Sequence, residues 1–120
     1  RIQADEADAM KQVEAILLAL LAFAQKNPGM TRVLTGDALV NEDERLQLRV
    51  NQLVDRLEAS LRQSARLAVT AGRLPADWDV AAYATTLIAY VIGRWHLFAK
   101  SGFRRPPTDG WPAHWRVFSA

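Results

Sequence analysis

The stretch Asp77–Gly102, DWDVAAYATTLIAYVIGRWHLFAKSG, decides the fold. Val80, Ala84, Leu87, Ile88, Val91, Ile92, Trp95 and Phe98 recur at the three- and four-residue spacing of one helix face. Asp77 is placed to cap this helix, which should reach Lys100 and stop at Gly102. Ala81, Tyr83, Ala89, Tyr90 and Leu97 extend apolar character around most of the remaining circumference. A helix apolar nearly all round has to be covered on two sides. One side faces the chain's own core, and in a small helical domain the other is expected to meet a second copy of the chain. Gly93 interrupts the middle of this helix, where glycine costs about 1 kcal/mol relative to alanine. Close approach of a partner helix across a dimer axis would account for it.

Only helical periods flank this stretch. On the N-terminal side, Leu46, Val50, Leu53, Val54, Leu57, Leu61, Ala65 and Ala68 form one apolar stripe between Asn41 and Gly72. About 30 residues at 1.5 Å each predict a helix of roughly 45 Å. Asn41 with Glu44 resembles a capping box, and Glu58 with Arg62 supplies an i, i+4 pair on the wet face. Earlier still, Val13, Ile16, Leu17, Leu20, Leu21 and Ala24 predict a helix from about Asp8 to Lys26. Its apolar run Ile16–Ala24 is far shorter than the ~20 residues that span a bilayer. Asn27-Pro28-Gly29 stops it, and a short helix through Met30, Val33 and Leu34 should end at Gly36. On the C-terminal side Phe103–Pro107 reads as an extended connector. Thr108 or Asp109 can then cap a last helix with Pro112 in its first turn and Trp111, Trp115 and Phe118 on one face. The expectation is an all-α domain of about five helices over residues 1–120.

Composition narrows the function. Half of the 120 residues are hydrophobic, 23% are charged and none is cysteine, which fits one domain with its own core and excludes disulfides, thiol catalysis and cysteine-based zinc sites. The formal charge of +2 is too near balance to predict a nucleic-acid surface. That balance hides an asymmetry, because residues 1–60 hold 7 bases and 10 acids while residues 61–120 hold 8 bases and 3 acids. His96 and His114, the two histidines, lack metal-ligand spacing, and Asp5, Glu6 and Asp8 read as partners of a helix dipole rather than an acid/base pair. With no GxSxG, P-loop or dinucleotide fingerprint, neither an enzyme nor a cofactor or metal is expected. Arg1 stands where an initiator methionine would, and the first residues read as the inside of an element, so a preceding domain is expected.

The run NPGMTRVLTGDALVNEDERLQLRVNQLVDRLEASLRQ, Asn27–Gln63, resembles the C-terminal domain of TetR-family DNA-binding proteins of the SlmA-like nucleoid occlusion type. The motifs NPGMTRVLTG at Asn27–Gly36 and RVNQL at Arg49–Leu53 carry the likeness most specifically, and it continues more thinly through Tyr90–Lys100 and FRRPPTD at Phe103–Asp109. The resemblance implies an N-terminal helix-turn-helix, outside these residues, that binds DNA as a dimer. It implies that the fourth and fifth helices pair with those of a second subunit in a four-helix interface, for which Leu87, Val91, Gly93, Trp95, Phe98, Trp111 and Trp115 are the candidates. It further implies a cytoplasmic, nucleoid-associated homodimer, without a membrane span, that antagonises polymerisation of the division protein FtsZ by gripping its C-terminal tail. Carried over by position, Arg1, Lys26 and Asn27 match groove residues for that tail. Two more groove positions fall on Ala19 and Ala22, where the family pattern has Leu and Gly.

Bland readings stand beside these. Arg1 and Lys26 also read as solvated bases, and Asn27 as the residue that closes one helix and opens the next. Arg94, His96, Lys100, Arg104 and Arg105 form a basic cluster interleaved with Trp95, Phe98 and Phe103, better explained as wet surface beside a helix C-terminus than as a phosphate site. The competing function is a TetR-type receptor holding a small molecule in its helical core. It expects an enclosed pocket lined by Phe23, Leu57, Leu61 and the fourth helix.

Overall fold

A computed structural model describes residues 9–34 and 44–119; the side chains of 33, 34, 44, 46 and 47 are outside the description. Within it the chain forms five helices and no strand: α1 (Ala9–Lys26), α2 (Pro28–Leu34), α3 (Glu44–Thr70), α4 (Val80–Lys100) and α5 (Trp111–Ser119). The expected stop at Gly36 and the Asn41–Glu44 capping box fall outside the described residues.

Three long helices make the core. The α1 stripe Val13, Leu17, Leu21 and Ala24 is fully buried against Leu61, Ala65 and Ala68 of α3 and Ala84, Leu87 and Val91 of α4. Burying a large aliphatic side chain contributes about 1.5–3 kcal/mol, so these stripes, not local propensity, hold the helices together. A polar pair lies inside the core, with Ser64 Oγ 3.5 Å from Gln12 Oε1 and both residues buried.

The helix ends follow from local chemistry. At the end of α3 the Arg73 amide bonds the Ala68 carbonyl (2.8 Å) and the Gly72 amide bonds Val69 (3.0 Å); at the end of α4 Phe103 bonds Phe98 (2.8 Å) and Gly102 bonds Ala99 (3.1 Å). This paired closure needs a left-handed residue, supplied by Gly72 (φ 77°) and Gly102 (φ 68°). Asp79, not Asp77, caps α4, its carboxylate accepting from the Ala82 amide at 3.0 Å. Asp79 is the residue directly before the first helical turn, whereas Asp77 lies in the preceding turn, exposed.

Two expectations for the C-terminal connector change. Phe103 is left-handed (φ 65°) rather than extended, with its ring edge-on to Phe98 at 5.2 Å. Neither Thr108 nor Asp109 caps α5. Gly110 precedes the helix and its carbonyl accepts from the His114 amide at 3.1 Å, while the Thr108 hydroxyl instead donates to Gln25 Oε1 of α1 at 2.7 Å. The connector is held against α4 by Arg94, which donates to the carbonyls of Asp109 (3.0 Å), Pro106 (3.3 Å) and Pro107 (3.3 Å).

Candidate functional site

Two surfaces bear the residues singled out in the sequence. On α4 the structure separates two apolar sides that periodicity alone had merged. Tyr83, Ala84, Leu87, Ile88, Val91, Trp95 and Phe98 face the protomer's own core. Trp95 is 1% exposed and its indole N–H donates to the Leu20 carbonyl at 3.1 Å. Leu87, Val91, Trp95 and Phe98 are therefore filled by the chain's own packing, as is Trp111 at the head of α5. Within the protomer these five side chains have little surface left to offer a second copy. Trp115 is half-buried, stacked on Trp111 with ring centroids 5.7 Å apart.

Gly93 keeps its place on the surface. It is exposed, and a Cβ built on it would meet nothing within 4 Å. The same outer side of α4 carries Ala82, Thr86, Ala89 and Leu97, all exposed. Thr86 turns its hydroxyl back to the Ala82 carbonyl at 2.9 Å, so the polar group is satisfied within the helix. A signal for this side was present in the sequence. Most of the larger apolar residues fall on the core side and most of the alanine, threonine and glycine opposite, with buried Ala84 and exposed Leu97 as exceptions. At its N-terminal end the outer side opens into a groove of about 270 Å³ lined by Trp78, Asp79, Ala82, Tyr83 and Thr86. The Tyr83 hydroxyl donates to the Phe118 carbonyl at 2.7 Å, and burial pushes its phenol up to about 12. On the adjoining α5, Val117 is 75% exposed.

The second surface is the α1–α2 junction. Asn27 closes α1 by donating from Nδ2 to the Phe23 carbonyl (2.8 Å), and its own carbonyl accepts from the Thr31 amide (2.9 Å), opening α2. Thr31 is fully buried, its hydroxyl lying 2.8 Å from the Ala24 carbonyl and 3.0 Å from that of Asn27. The NPGMT motif is thus a helix-break-helix device in which both polar side chains satisfy backbone groups. Around it Lys26, Ala19 and Phe23 are exposed, Phe23 by 47%, while Ala22 is half-buried. Ala19, Ala22, Phe23 and Lys26 share one side of α1 by their spacing. Arg1 lies outside the described residues.

The basic cluster does not converge. Arg94 is committed to the connector carbonyls, and Ser101 Oγ holds the amides of Arg104 (3.2 Å) and Arg105 (3.0 Å), with His96, Lys100 and both arginine side chains exposed. His114 is occupied by a 2.7 Å hydrogen bond to the Tyr90 hydroxyl. Glu58, placed on the wet face of α3, lies 4.0 Å from Arg62 and also accepts from Thr85 of α4 at 2.7 Å. Among the described residues no helix is long and apolar enough to cross a membrane.

Comparison with known proteins adds the lineage. The chain is 38% identical over 120 residues to the nucleoid occlusion factor SlmA of Aliivibrio fischeri (strain MJ11), covering 100% of this chain and 61% of that protein. It is 39% identical over 122 residues to the SlmA of Photobacterium profundum (100% and 61%), and 40% over 116 residues to that of Escherichia coli O81 (97% and 59%). The chain spans about three fifths of the length of these relatives. The profile of the SlmA-like C-terminal family, described as the tetracyclin repressor-like C-terminal domain, matches residues 7–120, and the chain belongs to that family.

Proposed function

We propose that this chain is the dimerisation and regulatory body of a nucleoid occlusion factor, a non-enzymatic DNA-binding protein of the TetR type. Its DNA contacts would be made by an N-terminal helix-turn-helix outside these residues. Two copies would join through the outer side of α4 and the exposed side of α5, presenting two DNA-binding heads from one axis. The FtsZ C-terminal tail would lie along the α1–α2 junction, with Lys26 offering a charge to its acidic groups and Ala19, Ala22 and Phe23 an apolar floor. The whole protein would act in the cytoplasm at the nucleoid.

The observation that carries this reading is the SlmA-like family match over residues 7–120. Gly93 supports the dimer, since the protomer leaves its surface open. The small-molecule alternative draws no support from its expected lining, because Phe23 stands half-exposed while Leu61 is completely buried. The direct test is a fluorescence anisotropy titration of an FtsZ C-terminal peptide against the full-length protein, with and without its DNA site. Saturable binding, tighter on DNA, is expected; no binding in either state would remove FtsZ as the partner.

A further inference from the structure

The outward side of α3 carries a strip of hydrogen-bond donors with no acid in it. Arg49, Gln52, Arg56 and Gln63 are all exposed, turned away from the side that buries Val50 and Leu61. The 3.6-residue turn sets these four within about a sixth of the helix circumference, with the two arginines about 10.5 Å apart along the axis. Asp55 and Glu58, the acids between Arg49 and Thr70, fall outside the strip, and Glu58 accepts from Thr85 of α4. Among the described residues no acid pairs with Arg49 or Arg56. Leucines border the strip by the same spacing: Leu48 on one edge is 56% exposed and Leu53 on the other 37%.

We propose that this strip docks an acidic protein segment, whose carboxylates meet Arg49 and Arg56 while apolar residues beside them cover Leu48 and Leu53. A guanidinium fork holds a carboxylate through two parallel hydrogen bonds, and the Gln52 amide adds a donor between the two forks. The order of residues across the strip selects this partner. A helix lying on a bilayer sinks one continuous apolar face into the lipid, whereas here the bases divide the two leucines. A nucleic-acid backbone would engage the arginines and leave both leucines uncovered. The strip is borne by a different helix from Lys26, the base of the α1–α2 junction.

Fluorescence anisotropy on the full-length protein tests this, with a labelled peptide of Glu-Leu-Leu-Glu repeats as the probe. The parent should bind it saturably, and should bind the same peptide with glutamine for glutamate far more weakly. Arg49→Glu with Arg56→Glu should weaken binding by about tenfold or more with helical circular dichroism unchanged, because both positions are exposed. Lys26→Glu should bind the probe as the parent does. No binding by the parent, or full affinity in the double variant, overturns the proposal. A loss in Lys26→Glu alone overturns it by placing the peptide at the α1–α2 junction. Phosphatidylglycerol vesicles and a duplex DNA of arbitrary sequence are the companion probes. A double variant that releases either of these while keeping the peptide makes the strip a lipid or nucleic-acid surface and overturns the proposal as well.

Discussion

The two long sides of α4 are both largely apolar, yet one is buried and the other lies open. The inner side holds Leu87, Val91 and Trp95, each with almost no exposed surface and each part of the core cluster that also takes in residues of α1 and α3. The outer side holds Ala82, Thr86, Ala89 and Gly93, which lie in the open. Volume separates them. A core of three packed helices rewards large side chains wherever they fit, since burial scales with area, whereas two helices crossing at a symmetry axis would gain by bringing backbones close. Hydrophobicity alone therefore locates the helix without saying which side is core; side-chain size does.

Substitutions on the inner side should cost the protomer, and those on the outer side should not. Trp95→Ala is expected to be the most damaging, removing a fully buried indole and its bond to the Leu20 carbonyl; a loss of about 3–5 kcal/mol in urea-melt stability would fit. Arg94→Ala, at the flank between the two sides, releases three connector carbonyls and should cost about 1.5–3 kcal/mol by the same melts. Tyr83 gives a pH signature. Its phenol is held neutral in the fold, up to about 12 against an ordinary 10, so its stabilisation is full below pH 10 and is lost as pH rises towards 12. Tyr83→Phe should flatten that alkaline fall in thermal melts, and an unchanged pH profile would contradict the burial of the hydroxyl. The smallest effect is reserved for the outer side. Gly93→Ala should raise the stability of the isolated protomer by about 0.5–1 kcal/mol, because the added methyl meets no atom and relieves a helical glycine.

Much of the fold was legible because its signals are local. The α1 and α4 spans, the break at Asn27-Pro28 and the stops at Gly72 and Gly102 all follow from periodicity and backbone chemistry. What misled were choices between near-equivalent residues. Asp77 and Asp79 both read as caps, and only the folded turn decides; Thr108 looked like a cap until Gln25, 83 residues earlier, engaged its hydroxyl. That Leu87, Val91, Trp95, Phe98 and Trp111 are buried within the protomer was not legible for the same reason, since the packing that buries them is tertiary. Gly93 stood out in the sequence because a glycine inside a helix carries a cost relative to alanine, and the structure leaves its surface open. At the α1–α2 junction Asn27 was read from its place before proline and is seen closing α1, while the buried hydroxyl of Thr31 carried no sequence signal of its own.

The central claim is that the outer side of α4 is where two copies meet. Sedimentation equilibrium of full-length Gly93→Leu beside its parent tests it most directly. Leucine should fit the protomer without loss of helical circular dichroism, because the site is open, and should block the close approach a partner needs. A dimeric parent and a monomeric, fully helical variant is the expected result; a variant that still sediments at the dimer mass would contradict the claim.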